Sequence, residues 1–295
     1  MMKKFLLLFT FLFLLQTHLS FSQFQYPHQP ADSTFWIFDR KPLATYSLVG
    51  YTVGTFYLQF QWWWKNNYHP FTIQYEGYFN DYALGVDKLG HFYTSYTYYL
   101  SVYNMMKWAG FDDNTAMWIG VGVPAFHAIT AEIGDGFSRY QFSFDDLSFN
   151  TLGILYGMLQ QRVPFFQNFN FKWSYYPSGK FPLWSERWHL TGDYNGHIYW
   201  LSMDVHNLLP KDWKSYWPKF LNLAVGYNAT NISHDDIGIK ERKFSISLDY
   251  NLLELPLDGE TWWVLKDIVN RLHFPAPGIQ KTGDGPWKVK PLLLN

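Results

Sequence analysis

The chain has 295 residues, a formal net charge of -1 and no cysteine. Aromatic residues make up 22% of it and charged residues only 16%, whereas soluble domains usually contain roughly 25% charged residues. The near-zero charge and the lack of lysine or arginine runs exclude a nucleic-acid partner, and the lack of cysteine excludes disulfides and thiolate metal sites. The low charge predicts extensive contact with lipid or a very large interior.

The first residues have the pattern of a secretory signal peptide. Lys3 and Lys4 give a positive start, residues 5–15 are apolar, and small residues precede Gln23. We assign residues 1–23 to this signal and expect an exported protein. The alternative is an uncleaved anchor helix, for which the apolar stretch is short. Because there is no cysteine to acylate, the signal leaves open how the protein is held in the envelope.

Four stretches predict helices in the first half of the mature chain. Residues 42–64 carry no charge, and residues 92–106 form a second apolar run. A third run, 112–131, starts with residues that cap helices, and a fourth, 143–161, starts with the capping sequence "SFDD". We interpret residues 36–164 as a four-helix bundle domain.

Whether these helices enter a membrane is a separate question. The first run is long enough to cross a bilayer, and aromatic residues crowd the ends of the helices as they do at membrane interfaces. A mean hydropathy of -0.20 favours the alternative, a compact bundle in a soluble or surface-bound protein. We favour membrane association. Spanning helices would indicate the inner membrane, and the alternating strands farther along the chain would indicate the outer one.

Residues 165–295 have a different pattern. A connecting region precedes two alternating segments, 221–227 and 244–250, which predict an antiparallel pair of strands, and "HIYWLSMDV" predicts a further one. Residues 261–274 place apolar side chains at helical spacing, which favours packing on the sheet over a membrane-interface position. The predicted fold is therefore α+β: a four-helix bundle, a small antiparallel β region and a C-terminal amphipathic helix.

Ionisable residues concentrate at the ends of the predicted helices. Asp87 and His91 are four apart, and Glu132 and Asp135 are three apart, so each pair shares a helix face. Because a short loop joins the third helix to the fourth, we expect these residues to converge at one end of the bundle. Two acids at a helix C-terminus oppose the helix dipole and require a compensating cation. The candidates for that cation are Lys88, Arg139 and His91.

Such a cluster suits general acid–base chemistry, a metal held by His91 and carboxylates, or a purely structural network. We select Asp87, His91, Glu132 and Asp135 as candidate catalytic residues. The candidate binding or structural residues are Lys88, Arg139, Asp145, Asp146, Asn150 and Gly153. Asp87 and Asp146 have the alternative role of helix caps, and Gly153 that of a close helix contact. The sequence assigns no metal or cofactor.

"DKLGHF" and "EIGDGFSRYQFSFDDLSFNTLG" resemble the D-K-x-x-H, E-x-x-D-G and D-x-x-x-N-x-x-G pattern of the YfiM-like family of predicted periplasmic lipoproteins, itself reminiscent of VanZ-like membrane proteins. Later segments resemble the C-terminal extension of the longer members. The resemblance implies a periplasmic location and implies no activity. Its signature positions are Asp87, Lys88, His91, Glu132, Asp135, Asp146, Asn150 and Gly153. The chain departs from the lipoprotein pattern because it has no cysteine.

Two functions follow. The first is a non-enzymatic, membrane-associated envelope protein that binds a lipid, a glycan or a partner protein. The second is an envelope hydrolase or transferase acting on a lipid-linked or glycan substrate, with Glu132 or Asp135 as general base and His91 as acid or metal ligand. We favour the first because the sequence has no nucleophile motif, no zinc-protease motif and no phosphate-binding glycine loop.

Overall fold

The computed structural model describes residues 39–179, 192–232 and 238–294. The predicted signal peptide, residues 1–23, lies outside them. The helices of these described ranges are α1 (Arg40–Gln59, continued by a π-helical turn at Phe60–Trp64), α2 (Val86–Trp108), α3 (Asp113–Gly136), α4 (Phe144–Arg162), α5 (Val205–Leu208) and α6 (Glu260–Val269).

Local sequence explains where α3 and α4 begin. The side chain of Asp112 accepts a hydrogen bond from the Thr115 N–H, and that of Ser143 accepts one from the Asp146 N–H. Both bonds satisfy backbone donors that the first turn of a helix leaves unpaired. Capping thus fixes the level of the first turn of α4, which carries Asp146.

The predicted four-helix bundle is wrong. α2 packs against α3 and α4, but α1 lies at their edge and buries only Ala44 and Leu48. A bundle helix must bury a continuous apolar stripe, and the apolar stripe of α1 faces outward instead. The backbones of α2 and α4 approach each other closely, since a Cβ at Gly153 would collide with the Phe92 carbonyl oxygen.

The predicted small β region is also wrong, because the second half of the chain forms a six-stranded antiparallel sheet in the order β3-β4-β5-β6-β7-β8. Its strands are β3 (Phe169–Tyr175), β4 (His197–Met203), β5 (Leu221–Thr230), β6 (Glu241–Tyr250), β7 (Gly278–Thr282) and β8 (Lys288–Lys290). The predicted strand pair is present as β5 and β6, with Leu223 opposite Leu248. A separate short parallel pair joins β1 (Ile73–Gln74) to β2 (Phe142–Ser143).

The sheet packs on α2 through aromatic side chains. The rings of Phe92 and Phe171 are 4.6 Å apart between centroids, and those of Tyr93 and Tyr199 are 5.9 Å apart. Aromatic pairs at such distances add about 0.5–1.5 kcal/mol beyond the burial of their area. The contact holds the sheet against the N-terminal half of α2, where the ionisable residues lie.

α6 is oriented opposite to the prediction. Asp267 in the helix is buried, as are Asn270 and Arg271 just after its end. Arg271 pairs with Asp267 and donates to the Tyr96 hydroxyl at 2.8 Å. Its apolar residues are exposed, namely Trp262, Leu265, Ile268 and Val269. The helix is not the last element either, because β7 and β8 follow it.

Candidate functional site

The site is built around the ammonium group of Lys88, whose side chain is fully buried at the start of α2. Lys88 Nζ lies 2.6 Å from Glu76 Oε2, 3.0 Å from Asp87 Oδ2 and 2.6 Å from Asp146 Oδ1. Asp81 Oδ2 is farther away, at 3.9 Å. We call Glu76, Asp81, Asp87, Lys88, His91, Glu132 and Asp146 the polar cluster.

Backbone geometry brings the acids of the loop before α2 to Lys88. Gly85 has a φ of 86°, in the left-handed region that glycine tolerates, and its N–H donates to Asp81 Oδ1. The N–H groups of Glu76 and Gly77 donate to Asp145 Oδ2 at 3.2 and 2.9 Å. Asp145, in the first turn of α4, therefore holds the loop that contains Glu76 against that helix.

His91 lies at the partly open side of the polar cluster. Its Nε2 is 3.7 Å from both Asp87 Oδ1 and Asp146 Oδ1, and its side chain is 31% exposed. Burial alone would lower the pKa of His91, but Asp146, Asp87 and Glu132 raise it to about 9. The imidazole is therefore protonated at neutral pH and presents N–H donors.

Asp87 is the most constrained carboxylate of the polar cluster. Burial tends to raise its pKa, but His91, Lys88 and the Tyr194 hydroxyl together lower the pKa of Asp87 below its usual value. Tyr194, which comes just before β4, donates to Asp87 Oδ1 at 2.8 Å. This bond connects the polar cluster to the sheet.

The two acids at the end of α3 have different surroundings. Burial raises the pKa of Glu132 to about 8, with a further rise from Asp146, against the opposing effects of His91 and of the Ser143 N–H. That N–H donates to Glu132 Oε2 at 3.0 Å. Burial also raises the pKa of Asp135 to about 6, and Asp135 Oδ1 accepts a hydrogen bond from Trp64 Nε1 at 2.7 Å. At neutral pH Glu132 is therefore mostly a neutral acid.

The remaining candidates have separate places. Asn150 Oδ1 accepts a hydrogen bond from Ser95 Oγ at 2.8 Å, and Gly153 permits the close contact of α2 with α4. Arg139 lies outside the polar cluster, where it is exposed and stacks 5.0 Å from the Tyr140 ring. The cation beside the cluster acids is Lys88 rather than Arg139.

Sequence reasoning missed Glu76, Asp81 and Tyr194. A signal for the first two exists, since Glu76, Asp81 and Asp87 are the acids between Lys65 and Lys107. Charges so rare in an apolar stretch are expected to have partners. No comparable signal marks Tyr194, because it reaches the polar cluster from a loop far along the chain.

Among the residues that the structure describes, two groups of side chains have ligand atoms close enough to hold a metal ion. Asp87, His91 and Asp146 offer atoms within 4.8 Å of one another, and so do Glu76, Asp81 and Asp87. The Lys88 ammonium already lies among these carboxylates. Burial tends to lower the pKa of Lys88, but Asp87 and Asp146 outweigh it and raise that pKa above its ordinary value. The polar cluster therefore contains its own permanent cation.

Exposed aromatic side chains surround the polar cluster. The segment before α2 contacts β2 through the ring pair Phe71–Phe142 and α4 through the pairs Tyr75–Phe144 and Tyr78–Phe149. Aromatic rings with one apolar and one hydrated side are typical of the boundary between lipid and water. Within the described ranges one helix, α3, is long and apolar enough to cross a membrane, a test that core helices of soluble proteins also pass.

Comparison with known proteins gives one match. Residues 75–162, which contain the whole polar cluster, match the family described as predicted periplasmic lipoprotein (DUF2279). No curated protein and no solved structure matches the chain significantly. The aromatic surround and the family match agree, and we conclude that this chain, similar over residues 75–162 to predicted periplasmic lipoproteins, is an exported, membrane-associated protein of the cell envelope that faces the periplasm.

Proposed function

We propose that this envelope protein binds a membrane lipid, with the outer faces of its helices in contact with hydrocarbon and the polar cluster beside the lipid headgroup. The observation that carries the proposal is the orientation of α6, which buries Asp267 and exposes Trp262 and Leu265. A water-facing helix has the opposite arrangement. An apolar outer face is favourable where the surroundings are themselves apolar.

The other helices support the same interpretation. The helices α1, α3 and α4 each have an outward stripe of large apolar side chains at helical spacing. These stripes are Tyr46, Val49, Val53 and Tyr57 on α1, Trp118, Phe126, Ile129 and Ile133 on α3, and Phe144, Leu152 and Leu155 on α4. Contiguous exposed apolar surface of this extent marks an interaction site. These faces supply the membrane affinity.

The polar cluster lies where a headgroup would meet the protein. His91 is partly exposed and positively charged at neutral pH, and Glu132, as a mostly neutral acid, can donate a hydrogen bond. The exposed aromatic side chains nearby support a position of this end of the helices at the boundary between lipid and water. A headgroup rich in oxygen acceptors fits these donors.

Vesicle flotation tests the hydrocarbon contact. Val53→Glu places a charge on the outer face of α1, and Val289→Glu makes the same change on exposed β8, where Val53 is 63% and Val289 79% exposed. We expect Val53→Glu to reduce binding to phosphatidylcholine vesicles at least about tenfold, because a charge in hydrocarbon costs on the order of 2.5 kcal/mol or more. Val289→Glu should bind like the parent. Equal binding by all three proteins would refute the proposal.

A second candidate function is acid–base catalysis on a lipid headgroup. It is favoured by His91 and Glu132, whose pKa values of about 9 and 8 lie close to neutral pH. The test is release of headgroup from phospholipid vesicles by the parent and by His91→Gln. Catalysis requires turnover by the parent and its loss in a variant that still binds vesicles. Binding without turnover leaves the lipid-binding role alone.

A further inference from the structure

A cavity between β6, β7 and β8 lies apart from the polar cluster. It has a volume of about 250 Å³ and is lined by Lys243, Lys288 and Lys290 together with Gln280 and Thr282. The ammonium groups of these three lysines make no ion pair or hydrogen bond with any other described residue. We call this feature the lysine cavity.

Strand register explains why the three lysines meet. Lys288 lies opposite Gln280 and Lys290 opposite Gly278, while Lys243 lies opposite Thr282. Side chains two residues apart on a strand share a face, so Lys288 and Lys290 project to the same side. Gly278 has no side chain to separate Lys290 from the cavity.

This arrangement is unfavourable without a ligand. Like charges on neighbouring strands repel each other, and burial together with Lys290 lowers the pKa of Lys243, with only partial opposition from Glu241. Gln280 is buried and uses its Nε2 to donate to Ser245 Oγ at 3.2 Å. An amide nitrogen carries two hydrogens, so the second can reach an anion in the cavity.

We propose that the lysine cavity is a binding site for a phosphate group. Lysine ammonium groups are compact charges that bind phosphate through charge-assisted hydrogen bonds. The volume of about 250 Å³ accommodates a phosphate group with several waters, since each water occupies roughly 30 Å³. The phosphate is supplied either by the headgroup of an anionic lipid or by a free phosphate ion.

The test compares two lysine-to-glutamine triples of equal net charge in the full chain. The site triple is Lys243→Gln, Lys288→Gln and Lys290→Gln. The control triple is Lys211→Gln, Lys219→Gln and Lys281→Gln, in which Lys281 lies on the other face of β7, opposite Phe244. Binding is measured by calorimetry with inorganic phosphate, and by flotation with phosphatidylcholine vesicles that contain or lack phosphatidylglycerol.

We expect the parent to prefer vesicles with phosphatidylglycerol and the site triple to lose at least about tenfold of that preference, because each lysine near an anionic surface contributes about 1 kcal/mol. The control triple should lose no more than about twofold. Loss of phosphatidylglycerol preference alone identifies a headgroup site, and loss of inorganic phosphate binding alone identifies a free-ion site. Equal losses in the two triples, or no phosphate or phosphatidylglycerol preference in the parent, would overturn the proposal. Binding to vesicles of phosphatidylcholine alone reports on the apolar helix faces. A failure of the proposed lipid-binding function is therefore distinguished from a failure of the phosphate site.

Discussion

Two lysines, one in each half of the molecule, are fully buried and have opposite surroundings. Lys172 on β3 pairs with a single carboxylate, Asp249, at 2.7 Å, and donates to the Tyr250 carbonyl and to Asn270 Oδ1. Lys88 lies among Glu76, Asp87 and Asp146. Burial lowers the pKa of Lys172 despite Asp249, whereas the several carboxylates raise that of Lys88.

The difference separates a structural ion pair from a site that responds to protons. In the sheet one cation meets one anion, and both side chains are closed to solvent. Around Lys88 the acids outnumber the cation, so His91 and protonated acids must balance the excess, and His91 is open to solvent. An excess of buried charge is costly, and here it coincides with the part of the chain that matches the family.

Lys88→Met gives the largest expected effect. It leaves several buried acids without a cation, so we expect about 5 kcal/mol of lost unfolding free energy at pH 7. Because the acids then have raised pKa values, the folded state binds protons more tightly and the variant regains stability as the pH falls to 5. Urea unfolding at both pH values measures this. A variant equally unstable at pH 5 would contradict the excess-acid interpretation.

Lys172→Met should cost about 3 kcal/mol, because it leaves Asp249 buried and unpaired. The double variant Lys172→Met with Asp249→Leu should recover to within about 1 kcal/mol of the parent, since an apolar pair of similar volume replaces a simple ion pair. The same urea experiment checks both. If the double variant stays as unstable as the single one, the pair in the sheet is more than structural.

The pH dependence of stability, tested at two histidines, sharpens the comparison between the polar cluster and the sheet. The pKa of His91 is raised from 6.5 to about 9, so its stabilising contribution is complete below pH 6.5 and is lost as the pH rises through 9. Stability should fall by about 1 kcal/mol per pH unit in that window, and His91→Gln should flatten the slope. Guanidinium unfolding between pH 6 and 9.5 measures it.

His273 provides the control. It stacks on Trp200 with ring centroids 3.8 Å apart, and burial lowers its pKa from 6.5 to about 4. His273 is therefore neutral throughout the alkaline window, and its contribution is lost only as the pH falls from 6.5 through 4. His273→Gln should keep the parent's slope above pH 6.5. If stability still falls with rising pH in His91→Gln, the titrating group is Glu132 rather than His91.

Glu132→Gln is expected to have the smallest effect, at most about 1 kcal/mol. Glutamine has the same shape as the neutral acid that Glu132 mostly is at pH 7, and its oxygen can still accept the Ser143 N–H. Thermal melts beside the parent measure the stability. A preserved melting temperature with reduced lipid binding would assign Glu132 to the binding role, and a large drop would make it structural.

Local patterns predicted the elements better than their arrangement. Helices are present at all four predicted stretches, and Ser143 caps α4 as "SFDD" indicates, because capping depends on neighbouring residues. In a complete capping box the Asp146 carboxylate would accept a hydrogen bond from the Ser143 N–H. Here the Ser143 N–H donates to Glu132 instead, and Asp146 pairs with Lys88. The strands β3, β7 and β8 and the orientation of α6 depend on contacts distant in sequence. Composition cannot tell which face of an amphipathic helix packs on the protein and which faces outward.

The hydrogen bond from Tyr194 to Asp87 has a mechanical consequence. It joins the segment before β4 to the first turn of α2, while the aromatic contacts of Phe92 and Tyr93 hold the same helix against the sheet. Neither half can separate from the other without breaking a bond to a buried carboxylate. The two halves should therefore melt in one cooperative transition, and a displacement of Asp87 would be transmitted to the sheet.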